Sequence, residues 1–372
     1  MDSARIFGIA LSFLPGVNAS FVRHIEANGI SAEDFFSLSQ QELGNVLSIK
    51  NVSIIDKMVR DEALDRARKE ADFMQKHGIV SLSMTDEDYP TRLMDIDKAP
   101  VTIYKLGKAN LDANKIISVV GTRHATAYGA KYVDSLVSEM AMYFPDLTVV
   151  SGLALGIDSV AHITALNAGL PTIAVVAHGL NTIYPSQNRD LARRIVADGG
   201  AIISEYPFGV VPYKSRFLER NRIVATLTDA VIVAESAIKG GAMSTAAVAS
   251  SYDRELFALP GRLGDEMSAG CNRLIRMQKA QMAGVAADMI TMLGWKPLGV
   301  NVAANQKELF PELNGKTKTI FDCLRSGSEP MLVDAIRLRT GIPVQELMSL
   351  LGEMEFDGII QRLPGNRFQI IF

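Results

Sequence analysis

The segment VGTRH places a glycine and an arginine directly after a run of apolar residues. Gly121 lets the backbone come close to a ligand, because a glycine has no side chain in the way. Arg123 carries a planar guanidinium whose paired N–H donors match two oxygens of a phosphate. Alone this pair is a weak indication, since glycine is common at strand ends and an arginine there is often only solvated. Three further segments add to it.

The segment SGLALGIDSVAH is shaped like an anion-binding turn, but it is neither a dinucleotide-binding GxGxxG nor a P-loop. We expect the backbone around Ser151, Gly152 and Gly156 to form an amide wall against a phosphate. Asp158 is predicted to cap the following helix. His162 lies four residues later on the same helix face, where it could pair with Asp158. Because no nucleophile lies beside them, we interpret these two residues as fixing the turn rather than as a catalytic dyad.

The segment VPYKSRFLERNR leads from a loop into a helix and holds four basic residues, one acidic residue and two aromatic residues. A cationic track interleaved with aromatic faces is typical of single-stranded nucleic acid binding. A solvated charge run in which one aromatic residue anchors the helix to the core explains the pattern equally well. The basic residues are Lys214, Arg216, Arg220 and Arg222, and the aromatic residues are Tyr213 and Phe217.

The segment AESAIKGGAMST closes the fifth apolar run with two glycines and begins a hydroxyl-rich helix. Amides at Gly240 and Gly241 and the hydroxyl of Thr245 suit a phosphate at a helix N-terminus. Together the four segments indicate a phosphate-rich ligand, provided that the fold brings them to one place.

Six unbroken apolar runs alternate with helical patterns after residue 116, and these must position the four segments. Strands that are apolar throughout are buried on both faces, as in a parallel sheet. The sequence therefore predicts an α/β fold with a doubly wound, Rossmann-like parallel sheet, and a ligand site beyond the carboxyl ends of the strands. The runs are IISVV, LTVVSG, TIAVVA, AIISE, AVIVAE and ELFALP.

Different patterns flank this sheet and define the predicted domains. Residues 1–80 read as a small helical domain of the SAM or helix-hairpin-helix kind, with a capping box from Ser39 to Glu42 and a long helix that ends at Gly78. The turn in FLPGVNASFV either contacts DNA phosphates through helix amides or simply joins two helices, and the second reading is favoured. The sheet domain with its lead-in segment spans 81–294, and 295–316 is a linker.

Residues 317–372 predict a winged helix, in which three helices precede a hairpin that turns at Pro364–Asn366. Winged helices often bind duplex DNA. From Lys296 onward, however, the sequence has nine basic and nine acidic residues. This balanced charge is equally compatible with binding to a protein.

Composition and charge further limit the classes of protein to which this chain can belong. The 372 residues carry a net charge of −3, so nucleic-acid binding would have to come from locally concentrated charge. Two cysteines and five scattered histidines indicate neither a disulfide framework nor a metal site, and we expect no cofactor. No apolar run is long enough for a membrane span, and no signal peptide is evident, so we expect a soluble cytoplasmic protein.

Seven motifs in order resemble the DNA-processing protein A family, DprA or Smf. They are VGTRHATAYG, SGLALGIDSVAH, HGLNTIYPSQNRDL, SEYPFG, FLERNRIVATLTDAVIVAES, GGAMSTA, and ALPG with SAGCNRLI. The flanking helical and winged-helix domains agree with the same family. The resemblance implies a DNA site at Gly121, Arg123, Lys214, Phe217, Asn221 and Arg222. This chain departs from the family pattern at Leu218, where proline is common, and at Lys239, where serine often precedes the glycine.

The resemblance implies a cytoplasmic bacterial protein that binds single-stranded DNA as a homodimer and is not an enzyme. It would protect incoming DNA and help to load the RecA recombinase during natural transformation. An alternative is an enzyme like the nucleoside-monophosphate phosphoribohydrolases of the lysine-decarboxylase-like group, whose PGGxGTxxE motif the segment GGAMST imitates. Residues 246–248 are Ala-Ala-Val where that group has its catalytic glutamate, which disfavours the enzyme. A scaffold with a vestigial site is a third possibility.

Overall fold

The computed structural model describes residues 3–47, 52–94, 96–297, 315–326, 330–356, 359–363 and 367–370. The chain divides into two compact units, residues 1–298 and residues 299–372. Each unit contains a hydrophobic core of its own. Within the described ranges, no helix is both long enough and apolar enough to cross a membrane.

Six helices begin the first unit, and local sequence explains their ends. Ser39 and Glu42 form the predicted capping box, with the Ser39 amide donating to Glu42 Oε2 at 2.8 Å. The long helix predicted to end at Gly78 is instead two helices, because the Asp56 side chain caps a new helix start. Gly78 ends that helix with φ +67°. The helices are α1 Ser3–Phe13, α2 Ala19–Ala27, α3 Ala32–Ser37, α4 Gln40–Leu47, α5 Val52–Ile55 and α6 Lys57–His77.

A nine-stranded sheet is the centre of the first unit. The order of its strands is β1-β2-β6-β5-β4-β3-β7-β8-β9. In this spatial order, every neighbouring pair from β6 across to β9 runs parallel. The α/β class and the parallel sheet are therefore confirmed. The sequence did not predict β1 and β2, which extend the sheet antiparallel at one edge. The strands are β1 Ile79–Ser83, β2 Thr102–Gly107, β3 Ile116–Gly121, β4 Thr148–Ser151, β5 Thr172–Val175, β6 Ala201–Ser204, β7 Ala230–Glu235, β8 Glu255–Ala258 and β9 Gln281–Met282.

Helices cover both faces of the sheet, so its strands are buried on both sides. Along β3, Ile116 and Val120 pack into one core and Ile117 and Val119 into the other. This alternation explains why the strands read as unbroken apolar runs. The helices after β1 are α7 Thr91–Met94, α8 Ala127–Tyr143, α9 Ile157–Asn167, α10 Arg189–Ala197, α11 Lys214–Thr226, α12 Ala242–Ser251, α13 Ala269–Arg276 and α14 Ala286–Met292.

The first helices share their core with the edge of the sheet. Ile9 of α1 and Met74 of α6 are fully buried in one cluster with Ile79 and Tyr104 of the two antiparallel strands. The helices of residues 1–80 and the sheet therefore belong to one compact unit.

The second unit is a winged helix, as predicted. Three helices pack around a small core, and a three-stranded antiparallel sheet of order β10-β12-β11 completes it. The predicted turn at Pro364–Asn366 lies outside the described residues, as does most of the predicted linker. The elements are α15 Lys316–Arg325, β10 Met331–Leu332, α16 Val333–Thr340, α17 Val344–Phe356, β11 Ile360–Leu363 and β12 Arg367–Ile370.

Leu351 on α17 is fully buried in the core of the winged helix. Replacing it by alanine leaves a cavity and should lower the stability of this unit by about 2–5 kcal/mol. Met348, on the same helix, is 42% exposed, so Met348→Ala should have little effect. Calorimetry of the full chain measures both variants, and equal shifts in melting temperature would contradict the assignment of Leu351 to the core.

Candidate functional site

A cavity of about 1090 Å³ lies where the strand order reverses. Strand β3 has β4 on one side and β7 on the other. The strands that follow β4 in the chain, β5 and β6, lie on the first side, and those that follow β7, β8 and β9, lie on the second. Such a switch point opens a crevice at the carboxyl ends of the strands. Nine of the twelve predicted site residues line it, namely Gly121, Arg123, Gly152, Lys214, Phe217, Asn221, Gly240, Gly241 and Thr245. Ser151, Gly156 and Arg222 do not line it.

The glycine turn after β4 is held by a buried carboxylate. Asp158 is 6% exposed and accepts hydrogen bonds from the amides of Gly152 and Ala154, both at 3.2 Å. Burial raises the pKa of Asp158, and the positive charge of Arg220 opposes that rise. The prediction that Asp158 caps α9 is wrong, because Gly156 occupies the cap position and Asp158 lies inside the first turn.

The expectation of a free amide wall also changes at this turn. The Ile157 amide donates to the Thr122 carbonyl oxygen at 3.1 Å, and Ser151 Oγ donates to the Val119 carbonyl oxygen at 2.7 Å. Gly156 has φ +77°, and a Cβ there would overlap the carbonyl oxygen of Thr122. Ser151 therefore joins β4 to β3, and Gly156 allows the turn after β4 to pack against the turn after β3.

Two exposed cations and an aromatic pair form the rim of the cavity. Arg123 and Lys214 are exposed, and the Arg123 guanidinium carbon lies 5.7 Å from the centre of the Phe217 ring. The Tyr184 ring lies 5.7 Å from Phe217, at an interplanar angle of 50°. A second cavity of about 390 Å³ shares Arg123, Tyr184 and Phe217 with the first. These three side chains therefore stand between two parts of one groove.

Tyr184 is a site residue that our reading of the sequence did not single out. It lies between β5 and α10 and is 45% exposed at the rim. Its signal was the motif HGLNTIYPSQNRDL, which carried the family resemblance, but the single arginine of that motif, Arg189, lies five residues after Tyr184 at the start of α10.

The cavity is strongly positive. Among the described residues that line it, four are lysine or arginine and one is acidic, the buried Asp158. Low-dielectric walls focus such a charge excess toward the opening and attract anions. The cations are Arg123, Lys214, Arg220 and Lys239.

The N-terminus of α12 forms one wall of the cavity. Gly241 is its cap residue and supplies no side-chain cap, while Gly240, Gly241 and Ala242 face the cavity. Asn221 Nδ2 donates to Ser244 Oγ at 2.7 Å, which ties α11 to this helix start. The positive end of the helix dipole therefore adds to the charge of the cavity.

Arg222 was predicted to bind phosphate, but its guanidinium is engaged elsewhere. Nη1 and Nη2 donate to the two carboxylate oxygens of Glu205, both at 2.6 Å, and Nε donates to the Lys98 carbonyl oxygen at 2.6 Å. Both side chains are 16% exposed. Arg222 therefore anchors α11 to the segment after β6.

His162 and Asp158 do not form a pair. The Thr172 hydroxyl donates its proton to the Val149 carbonyl oxygen, so it accepts from His162 Nδ1 at 2.7 Å. Burial, aided by Arg220, lowers the pKa of His162 to about 3. His162 is thus neutral at physiological pH and adds no charge to the cavity. In the described part of the chain, no group of histidine, cysteine or acidic residues could hold a metal ion.

Fold and site together define a Rossmann-like α/β protein with a basic cavity at its switch point and a winged helix. Two family models match the chain: DNA recombination-mediator protein A over residues 81–294, and the DprA winged helix domain over residues 306–366. The chain therefore belongs to the DNA-processing protein A family, DprA/Smf.

Similar proteins come from several bacteria. Protein Smf of Synechocystis is 28% identical over 99% of both chains. The crystal structure of Streptococcus pneumoniae DprA has a TM-score of 0.64 and 30% identity, covering 78% of this chain and 98% of that one. DNA processing protein A of Helicobacter pylori, known for its single-stranded DNA binding mode, has a TM-score of 0.52 and 33% identity, covering 58% and 95%.

Replacing Arg222 by glutamine should lower the free energy of unfolding by about 3 kcal/mol, because it leaves the Glu205 carboxylate unpaired in a largely buried position. Arg193→Gln is the matched control, since Arg193 pairs with Asp190 while 73% exposed. Urea unfolding of both variants measures the difference. Equal stability of the two would contradict an anchoring role for Arg222.

Proposed function

We propose that this chain binds single-stranded DNA in the groove at the carboxyl edge of its sheet, without making or breaking a bond. The carrying observation is the arrangement at the rim, where exposed Arg123 and Lys214 stand beside the aromatic pair of Phe217 and Tyr184. Cations that follow a backbone and aromatic faces that stack on bases are the two elements of single-strand binding. The single-stranded DNA binding of the Helicobacter pylori relative supports this choice.

In this proposal, phosphates contact Arg123 and Lys214, and a base stacks on Phe217 or Tyr184. A duplex keeps its bases paired and cannot offer an unstacked base to this pair, so single strands are preferred. The overall charge of −3 does not oppose binding, because the cations are concentrated at one crevice.

We further propose that binding serves natural transformation in the cytoplasm. There the protein protects incoming strands and helps to load the RecA recombinase, as the family resemblance implies. Two copies would form a homodimer and hold one strand at two grooves, which raises the overall affinity without any new contact.

Arg123→Glu and Lys214→Glu should each reduce affinity for a single-stranded oligonucleotide by at least tenfold at about 0.15 M salt, because a phosphate contact becomes a repulsion. Arg193→Glu, an exposed charge reversal on α10, is the control and should bind like the wild type. Fluorescence anisotropy over a salt series, with single- and double-stranded oligonucleotides, makes the measurement. Unchanged affinity in both rim variants, with the fold intact, would refute the proposed site.

The phosphoribohydrolase alternative lacks a suitable carboxylate. Residues 246–248 lie in α12 as Ala-Ala-Val, and Ala246 is fully buried. The acidic residue that lines the cavity in the described chain, Asp158, already accepts two backbone amides. Incubation with AMP or CMP should therefore release no base above a protein-free control. Turnover that disappears with Asp158→Asn would replace binding by catalysis as the function.

A further inference from the structure

Arg220 lies at the floor of the cavity, below the rim cations. It is 5% exposed, yet it lines the cavity from its place on α11. Its Nη1 donates to the Val175 carbonyl oxygen at 2.7 Å. Its Nε, which is itself enclosed by protein, has no acceptor among the described residues. A guanidinium offers five N–H donors, so this buried charge is far from saturated by the protein.

Arg220 has a like charge nearby as well as an opposite one. Burial lowers the pKa of Arg220, Asp158 opposes that effect, and nearby Arg123 adds to it. The Asp158 carboxylate is already engaged by the amides of Gly152 and Ala154, and no ion pair joins it to Arg220. Two like charges, Arg123 above and Arg220 below, are stable together when an anion lies between them.

The walls around Arg220 leave room for such an anion. A Cβ on Gly152 would overlap the guanidinium, so the glycine allows Arg220 to reach the cavity at all. The α12 N-terminus at Gly241 also lines the cavity and has no side-chain cap. The Met243 and Ser244 amides donate to the carbonyl oxygens of Gly240 and Gly241, so this helix contributes its dipole rather than a full set of free amides. An incompletely bonded guanidinium and the positive end of a helix dipole in one cavity are complementary to a phosphate.

We propose that the cavity floor is an anion subsite in which Arg220 hydrogen-bonds directly to a phosphate of the bound strand. This subsite lies deeper than the contacts at Arg123 and Lys214. The inference rests on the proposed single-strand function and adds a second, buried layer of phosphate recognition to it. The phosphate is either an internal phosphodiester of a strand that dips into the cavity or a terminal phosphate at a strand end.

A double-mutant cycle between protein and DNA tests the contact. Thymidine oligonucleotides, each with one neutral methylphosphonate at a different position, are titrated against the wild type and Arg220→Gln. The 5′ and 3′ ends are tested with and without a terminal phosphate. The control is Arg193→Gln, which removes an exposed arginine charge on α10 outside the cavity. Melting temperatures verify folding, and Arg220→Lys enters the same cycle if the glutamine variant does not fold.

Arg220→Gln should bind at least about tenfold more weakly, and one phosphate position should lose most of its effect in this variant alone. Coupling at an internal position identifies a phosphodiester, and coupling at an end identifies a terminal phosphate. Arg220→Lys keeps the charge without the planar fork, so its coupling at that position should shrink but remain.

Equal sensitivity to every neutralised position in the wild type and the Arg220 variants would overturn the subsite, since a purely structural arginine cannot single out one phosphate. If the wild type itself does not bind the oligonucleotides, the proposed function fails instead, so the two failures are distinguishable.

Discussion

The packing of the Arg220 guanidinium on the backbone of Gly152 sets the geometry of the cavity. It brings α11 against the turn after β4 at a separation that no residue with a Cβ would permit. Lys214, Phe217 and Asn221 are carried by the same helix, so their distance from the Arg123 turn depends on this contact. The Asp158 carboxylate accepts hydrogen bonds from the amides of the turn, and Arg220 donates one to the Val175 carbonyl oxygen of β5, so both sides of this contact are held in place.

The glycines of the turn thus allow close packing of the backbone. Amides that could have faced an anion donate to Asp158 or to the Thr122 carbonyl oxygen instead. The positive character of the crevice comes from side-chain cations and from the start of α12. This division suits a ligand with a variable path, because side chains at the rim can follow a flexible strand while a fixed turn keeps the floor in place.

The sequence predicted the parallel sheet because burial on both faces leaves a clear apolar signal in every strand. It missed β1 and β2 because IVSLS and TIYKLG mix polar and apolar residues and lie before residue 116, where the alternation of apolar runs and helices begins. Strand ends that meet at one edge made nine of the cavity-lining residues predictable. The position of Arg222 was not predictable from the sequence. Residues two positions apart on a helix, such as Arg220 and Arg222, point in directions about 200° apart, so only one of them can face the cavity. Whether Arg220 or Arg222 faces the cavity depends on Glu205, a partner distant in sequence.

The cations of the cavity differ in how solvent acts on them. Arg123 and Lys214 are exposed, so salt screens their attraction for a strand and released counterions drive much of their binding. Arg220 is enclosed by protein, where screening is weak and the field of the charge persists. In the proposed function, the rim cations therefore govern the capture of a strand, and the buried cation governs the depth at which its phosphate binds. A chain with a net charge of −3 can hold an anionic polymer in this way, because attraction at one crevice does not require a basic surface elsewhere.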